Sequence, residues 1–217
     1  MGIALCFLPL IIAIIILTCG LKIKLTHQLI AVLFGLIAVF PISFIQYFLP
    51  DIPGFISAPL LRTLLKSILI YGLVEAAIKM ALVIPLPHKN FTALNALLLA
   101  FIMGLSLGCF ESVVYYFDHL QKANFKGAQL LYGQITLRIF TSDIIHMTCT
   151  GLSGLFIFST RNKKAKISFF ILSVLLHGVY DFFAGFSGNL KLFSLAVVVL
   201  AVAECRIKYV SLQNNAE

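Results

Sequence analysis

Six ionisable side chains stand inside long apolar runs of this chain: Glu75, Lys79, Glu111, His146, His177 and Asp181. A charge at mid-membrane costs at least about 2.5–3.5 kcal/mol on insertion scales, so each of them needs a reason. They fall into pairs at the helical i,i+4 interval, which sets both members of a pair on one helix face. The pairs are Glu75/Lys79, Glu111/Tyr115, His146/Thr150 and His177/Asp181. Two carboxylates and two imidazoles facing one another suit hydrolysis. Neutral histidine and glutamate are ordinary zinc ligands, and three of them plus a water make a catalytic zinc site, for which Glu111, His146 and His177 are the expected ligands. Without a metal, a glutamate can activate water as general base while a histidine donates to the developing oxyanion. Each pair also has a plain structural reading, a self-satisfied ion pair for Glu75/Lys79 and a packed, hydrogen-bonded histidine for His177/Asp181.

The elements that must position these groups follow from composition. Of 217 residues, 61% are hydrophobic and 11% charged, and mean hydropathy is +1.06. So few polar residues cannot shield such a core from water, so the solvent must be lipid. The expected architecture is all-α, a polytopic membrane bundle of about seven spans, with eight possible. The spans are expected at 2–21, 28–49, 62–86, 92–118, 138–160, 167–187 and 190–209. Residues 124–137 are expected as an interfacial or partly inserted segment. Three parts follow: two N-terminal spans without a readable motif (1–60), a helical bundle carrying the chemistry (61–187), and a last span with a short tail (188–217).

Lys22, Lys24, Lys89, the Arg161/Lys163/Lys164/Lys166 cluster and Arg206/Lys208 share one side of a seven-span chain, while the other carries chiefly Lys122, Lys126 and Lys191, with Arg62 and Lys66 near the start of the third span. That asymmetry places the N-terminus outside and the C-terminus in the cytoplasm. The formal net charge of +8 is read the same way, as loop lysine and arginine, not as a nucleic-acid surface. The five cysteines include no CxxC pair and lie in or beside apolar runs, which argues against a disulfide framework or a cysteine zinc site. His27, His88 and His119 lie at loop edges; Asp143 either orients His146 from one turn away or faces the surface.

Depth ties the pairs together. At 1.5 Å per residue, Glu75 lies about 14 Å from Lys66, Glu111 about 10 Å from Asp118, His146 about 12 Å from Arg138 and His177 about 12 Å from Gly185. Four helices of alternating direction bring their stripes to one level, which points to a single site.

From about Gly72 to Gly185 these stripes resemble the PrsW family of intramembrane proteases, within the wider group of CAAX prenyl proteases and Abi proteins. The segments concerned are EAAIK from Glu75 to Lys79, GLSLGCFESVVY from Gly104 to Tyr115, Arg138 followed by HMTCTG from His146, and HGVYD from His177 to Asp181. The resemblance implies that Glu75, Glu111, His146 and His177 carry the site, supported by Lys79, Arg138 and Asp181. It also implies a bacterial inner-membrane endopeptidase that cleaves a membrane protein of the anti-sigma-factor type, by a zinc or a metal-free glutamate mechanism. One position departs from the pattern. The family's first motif is a Glu-Glu pair, and here the second place is Ala76. The resemblance therefore implies an inactive or impaired form, either a degenerate member or a Glu→Ala substitution, and the intact surroundings favour the substitution. Two other functions stay open from the residues alone: an ion- or proton-coupled transporter, since intramembrane Glu, Lys and His also mark ion pathways, and a pseudoprotease that holds a membrane partner.

Overall fold

The computed structural model describes residues 1–50, 56–87, 92–121 and 125–214, all of them helix, turn or loop with no strand among them. His88, Lys89 and Lys122 lie outside the described residues. The helices are α1 (Gly2–Cys19), α2 (Leu25–Phe48), α3 (Pro59–Lys66), α4 (Leu73–Val83), α5 (Ala93–Leu120), α6 (Phe125–Phe140), α7 (Ser142–Arg161), α8 (Ser168–Ala184) and α9 (Phe193–Gln213). A single π-helical segment, Ser67–Gly72, joins α3 to α4 as one continuous rod, and a 3-10 turn, Gly188–Leu192, leads into α9.

The protein is an all-α membrane bundle. By length and apolar composition α1, α2 and α5 can each cross a bilayer, and α8 is a shorter apolar helix of the same kind. Among the three long helices, α5 is the one at the centre: 72% of its most apolar window is buried, against 22% for α1 and 28% for α2. The outer helices therefore keep broad apolar faces for lipid, with Phe40, Phe44 and Phe48 exposed along α2. Helix α7 packs along α5, and α8 and α9 close the far side. The turn between α1 and α2 is pinned by the fully buried Gln28, whose amide donates to Thr18 Oγ1 at 2.9 Å and to the Ile23 carbonyl at 3.0 Å.

The expected span 138–160 needs correction. Residues 125–140 form a separate helix that packs against α1, α5 and α7, and the chain bends at Thr141 (φ −125°, ψ −77°) before α7 begins at Ser142. Arg138 thus belongs to α6, not to the helix that carries His146. No Pro or Gly marks the bend; Arg138 donates from Nη2 to Ser142 Oγ at 3.1 Å across it, and Thr141 Oγ1 returns to the Leu137 carbonyl at 2.9 Å.

Glycines set how closely the site-bearing helices cross. A Cβ on Gly104 would lie 2.4 Å from the His146 carbonyl oxygen, and one on Gly108 would lie 2.9 Å from Asp143 Cα, so α5 and α7 touch backbone to backbone. The rod and α8 meet about as tightly. A Cβ on Gly72 would fall 2.5 Å from the Val174 carbonyl, and one on Gly178 would fall 2.5 Å from Ile68 Cα and 2.8 Å from the Ser67 carbonyl. Small residues at such crossings are the usual means of close helix approach in lipid. Because backbone cannot give way as a side chain tip does, Gly178→Ala is expected to cost about 1–3 kcal/mol by overpacking. Gly133, with open space around its Cβ position, should tolerate alanine with a small gain. Unfolding in detergent followed by circular dichroism checks both.

Candidate active site

The Gly72/Gly178 crossing has a direct consequence for chemistry. Glu75 stands one turn after Gly72 on α4, and His177 immediately precedes Gly178 on α8. Their side chains meet with His177 Nε2 at 2.9 Å from Glu75 Oε2. Gly104 and Gly108 do the same for α5 and α7, and His146 Nε2 reaches Glu111 Oε2 at 2.8 Å. The two halves join through Lys79, whose Nζ lies 2.8 Å from Glu75 Oε2 and 2.9 Å from His146 Nδ1. The imidazole rings of His146 and His177 are 4.9 Å apart, centre to centre. Glu75, Lys79, Glu111, His146 and His177 therefore form one connected cluster drawn from four helices.

Hydrogen-bond logic fixes one tautomer. An ammonium has only donors, so His146 Nδ1 must accept from Lys79, and the ring proton sits on Nε2, donated to Glu111. Asp181 Oδ2 lies 3.4 Å from His177 Nε2, the same nitrogen that faces Glu75. The other ring nitrogen, Nδ1, is buried without a hydrogen-bond partner among the described residues.

Glu75, Lys79, His146 and His177 are buried, whereas the Glu111 side chain keeps 26% of its surface and Asp181 27%. Those two carboxylates, with Glu75, line an open cavity of about 530 Å³. Tyr71, Tyr115 and Arg138 also line it, and the exposed ring of His119 stands at its wall, stacked on Tyr115. Arg138 is held in place by Ser112 and Ser142, each at 3.1 Å, and lies 4.9 Å from the centre of the Tyr115 ring. It lines the cavity without an ion pair to the cluster among the described residues. Asp143 is fully buried and accepts from Ser112 Oγ at 3.1 Å, beside the Cys109 thiol. It thus holds the Arg138–Ser112 contact and is not a surface residue. Thr150 simply returns its hydroxyl to the His146 carbonyl at 2.7 Å. Ala76 is buried and is not among the cavity-lining residues. All five cysteines are free.

The residues fit a metal by type and spacing. One ligand atom from each of Glu75, His146 and His177 lies within 4.8 Å of the others, and two imidazoles with a carboxylate are an ordinary zinc set. This triad contains Glu75 where the sequence reading has Glu111. Glu111 instead sits on the far nitrogen of His146, the place of a carboxylate that orients a ligand histidine. The orphaned Nδ1 of His177 and the single cation now lodged among the donor atoms, the Lys79 ammonium, both match a site built to hold positive charge.

An α-helical membrane bundle with a buried His/Glu cluster, two of whose carboxylates line an open cavity, defines an integral membrane protein with an enclosed polar centre. The model of the PrsW family of intramembrane metalloproteases matches residues 24–204, most of the chain, and the protein belongs to that family. Comparison with curated proteins and with solved structures gives no match.

Removing one member of a buried ion pair strands the other, at a cost of about 3–5 kcal/mol. Glu75→Gln alone is therefore expected to destabilise the fold by that order, and Glu75→Gln/Lys79→Met together to recover much of it. A double-mutant cycle in detergent measures the coupling; simple additivity would show that the pair is not what holds Lys79 in the core.

Proposed function

We propose that this protein is an intramembrane endopeptidase that hydrolyses a peptide bond in or near the membrane segment of a membrane-protein substrate. The observation that carries the reading is the convergence of Glu75, Glu111, His146 and His177, from four helices, in one cluster whose two carboxylates line an open cavity. Zinc would be held by His146, His177 and Glu75, and would supply an acidified water and a Lewis acid for the carbonyl. Glu111 is the carboxylate placed to work as base: it is hydrogen-bonded to His146 Nε2, yet it faces the cavity. Its oxygen takes the proton of the attacking water as the new C–O bond forms, and returns it to the amine nitrogen as the C–N bond breaks. Lys79 and Asp181 hold charge balance around Glu75 and His177, and Arg138 stands at the cavity wall. An anti-sigma-factor type of substrate and a bacterial inner-membrane location belong to the same reading and rest on the family resemblance.

Ala76 bears on how far this chain is armed. Position 76 is three residues before Lys79, a distance at which helix side chains meet. A glutamate there would give the Lys79 ammonium a carboxylate of its own and release Glu75 Oε2 and His146 Nδ1. The chain as it stands is thus a disarmed or impaired form in this reading.

Metal content measured by mass spectrometry tests the zinc proposal. About one zinc per chain is expected after Ala76→Glu, less in the chain as it stands, and none after His146→Ala/His177→Ala. Cleavage of a single-pass membrane peptide should rise with Ala76→Glu and disappear with Glu111→Gln. Absence of metal together with retained cleavage would assign the reaction to the glutamate mechanism; metal without cleavage would favour a transporter. Orientation is tested through Cys19, the exposed cysteine at the end of α1. With the N-terminus outside, a membrane-impermeant maleimide added to intact cells should leave it unlabelled, and a permeant one should label it.

A further inference from the structure

We infer that α2 forms a substrate-binding wall of the cavity and that Gln46 hydrogen-bonds the unwound backbone of the peptide held there. The inference rests on the proposed hydrolysis for the identity of the occupant, and on the following geometry for the site. Val39, Ile42, Ser43 and Gln46 line the same cavity as Glu75, Glu111 and Asp181. Their spacing is i, i+3, i+4 and i+7, one face of a helix, while Phe40, Phe44 and Phe48 point elsewhere and are exposed. On the cavity face Gln46 is distinctive. Its Nε2 is buried and has no hydrogen-bond partner among the described residues.

Three other donors at or near the cavity are engaged within the protein, while the Ser43 and Tyr71 hydroxyls also line it. Lys79 is bonded to Glu75 and His146, Arg138 to Ser112 and Ser142, and the Tyr115 hydroxyl to Gln134 at 2.9 Å. A buried amide donor left unmade is costly, which makes an unspent one in a cavity wall a mark of something absent. A peptide bond must leave its helix before it can be attacked, because helical carbonyls are already bonded. Once unwound in a low-dielectric cavity, its N–H and C=O groups need partners. A primary amide both donates and accepts, so it matches one peptide unit of an extended strand.

The test uses the full chain in nanodiscs and, as probe, a synthetic single-pass leucine–alanine peptide of about 20 apolar residues with a central Gly-Ser pair. The photoreactive residue benzoylphenylalanine replaces Gln46, Tyr71 on another wall of the cavity, or Phe44 on the lipid face, and cleavage of the same peptide by the Ala76→Glu chain is followed in parallel. Adducts from positions 46 and 71, mapped to the peptide centre and absent from position 44, are expected. In the Tyr71-substituted chain, Gln46→Leu should raise the peptide concentration for half-maximal adduct about fivefold to tenfold, and Gln46→Asn should restore part of it. Thermal unfolding should be the same for the two Gln46 variants. Equal adducts from positions 44 and 46, no adduct from 46, or no effect of Gln46→Leu at position 71 would overturn the inference. Adducts without cleavage would leave peptide binding standing and count against hydrolysis. Cleavage with half-saturation unchanged by Gln46→Leu would do the reverse.

Discussion

The structure turns on one carboxylate oxygen. Glu75 Oε2 has Lys79 Nζ at 2.8 Å, His177 Nε2 at 2.9 Å and His146 Nδ1 at 3.6 Å around it. In a medium that does not solvate charge, such an oxygen is stable only while those nitrogens stay in place, and each arrives on a different turn or helix. The requirement propagates outward. To bring His177 to Glu75, α8 must cross the rod at contact distance, and only Gly72 and Gly178 allow that. To bring His146 and Glu111 together, α5 must lie against α7, which Gly104 and Gly108 allow. The glycines do no chemistry, but the polar cluster has no other route to closure.

The π-helical segment belongs to the same constraint. It spans Ser67–Gly72, the part of the rod that α8 crosses, and ends one residue before α4 starts. A π turn rotates the residues after it relative to a straight α-helix, so it helps decide which way Glu75 and Lys79 face. Arg138, Ser112 and Asp143 play the matching part on the other side of the cavity. They tie α6, α5 and α7 together beneath the cavity wall through the contacts Arg138–Ser112 and Ser112–Asp143. An arginine held on two hydroxyls and an aromatic face keeps its position without a direct ion pair to the cluster.

How much of this is legible in the sequence depends on what lipid penalises. Charged residues in apolar runs are expensive enough that Glu75, Glu111, His146 and His177 stand out, but the depth counted for His146 from Arg138 does not hold, because the bend at Thr141 puts Arg138 on a separate helix. Depth does not give azimuth. The pairing of Glu75 with His177 and of Glu111 with His146, and the entry of Glu75 into the close triad, depend on helix rotations that no spacing encodes. The bend at Thr141 was equally hidden, because it lacks Pro or Gly and is held by side-chain hydrogen bonds from Arg138 and Thr141. Gln46 carried a readable signal, a polar amide in an apolar helix, but a single uncharged residue is cheap enough near a helix end to pass as ordinary.

The orphaned groups and the cluster share one logic. The His177 Nδ1 atom, the Gln46 Nε2 atom and the Lys79 ammonium wedged between two ligand atoms are all uncomfortable arrangements in a low-dielectric interior. A bundle selected for stability alone would have replaced each with packed hydrocarbon, which is often neutral or better. In the proposed reading, the cost of these groups near a cavity of about 530 Å³ is offset when the cavity is occupied. The positive charge of a metal ion would take over from Lys79 at Glu75 and His146, and a peptide unit would take up the Gln46 amide. Stability and chemistry thus pull against each other at the same few atoms, and the glycine crossings are what keep those atoms from drifting to a more comfortable arrangement.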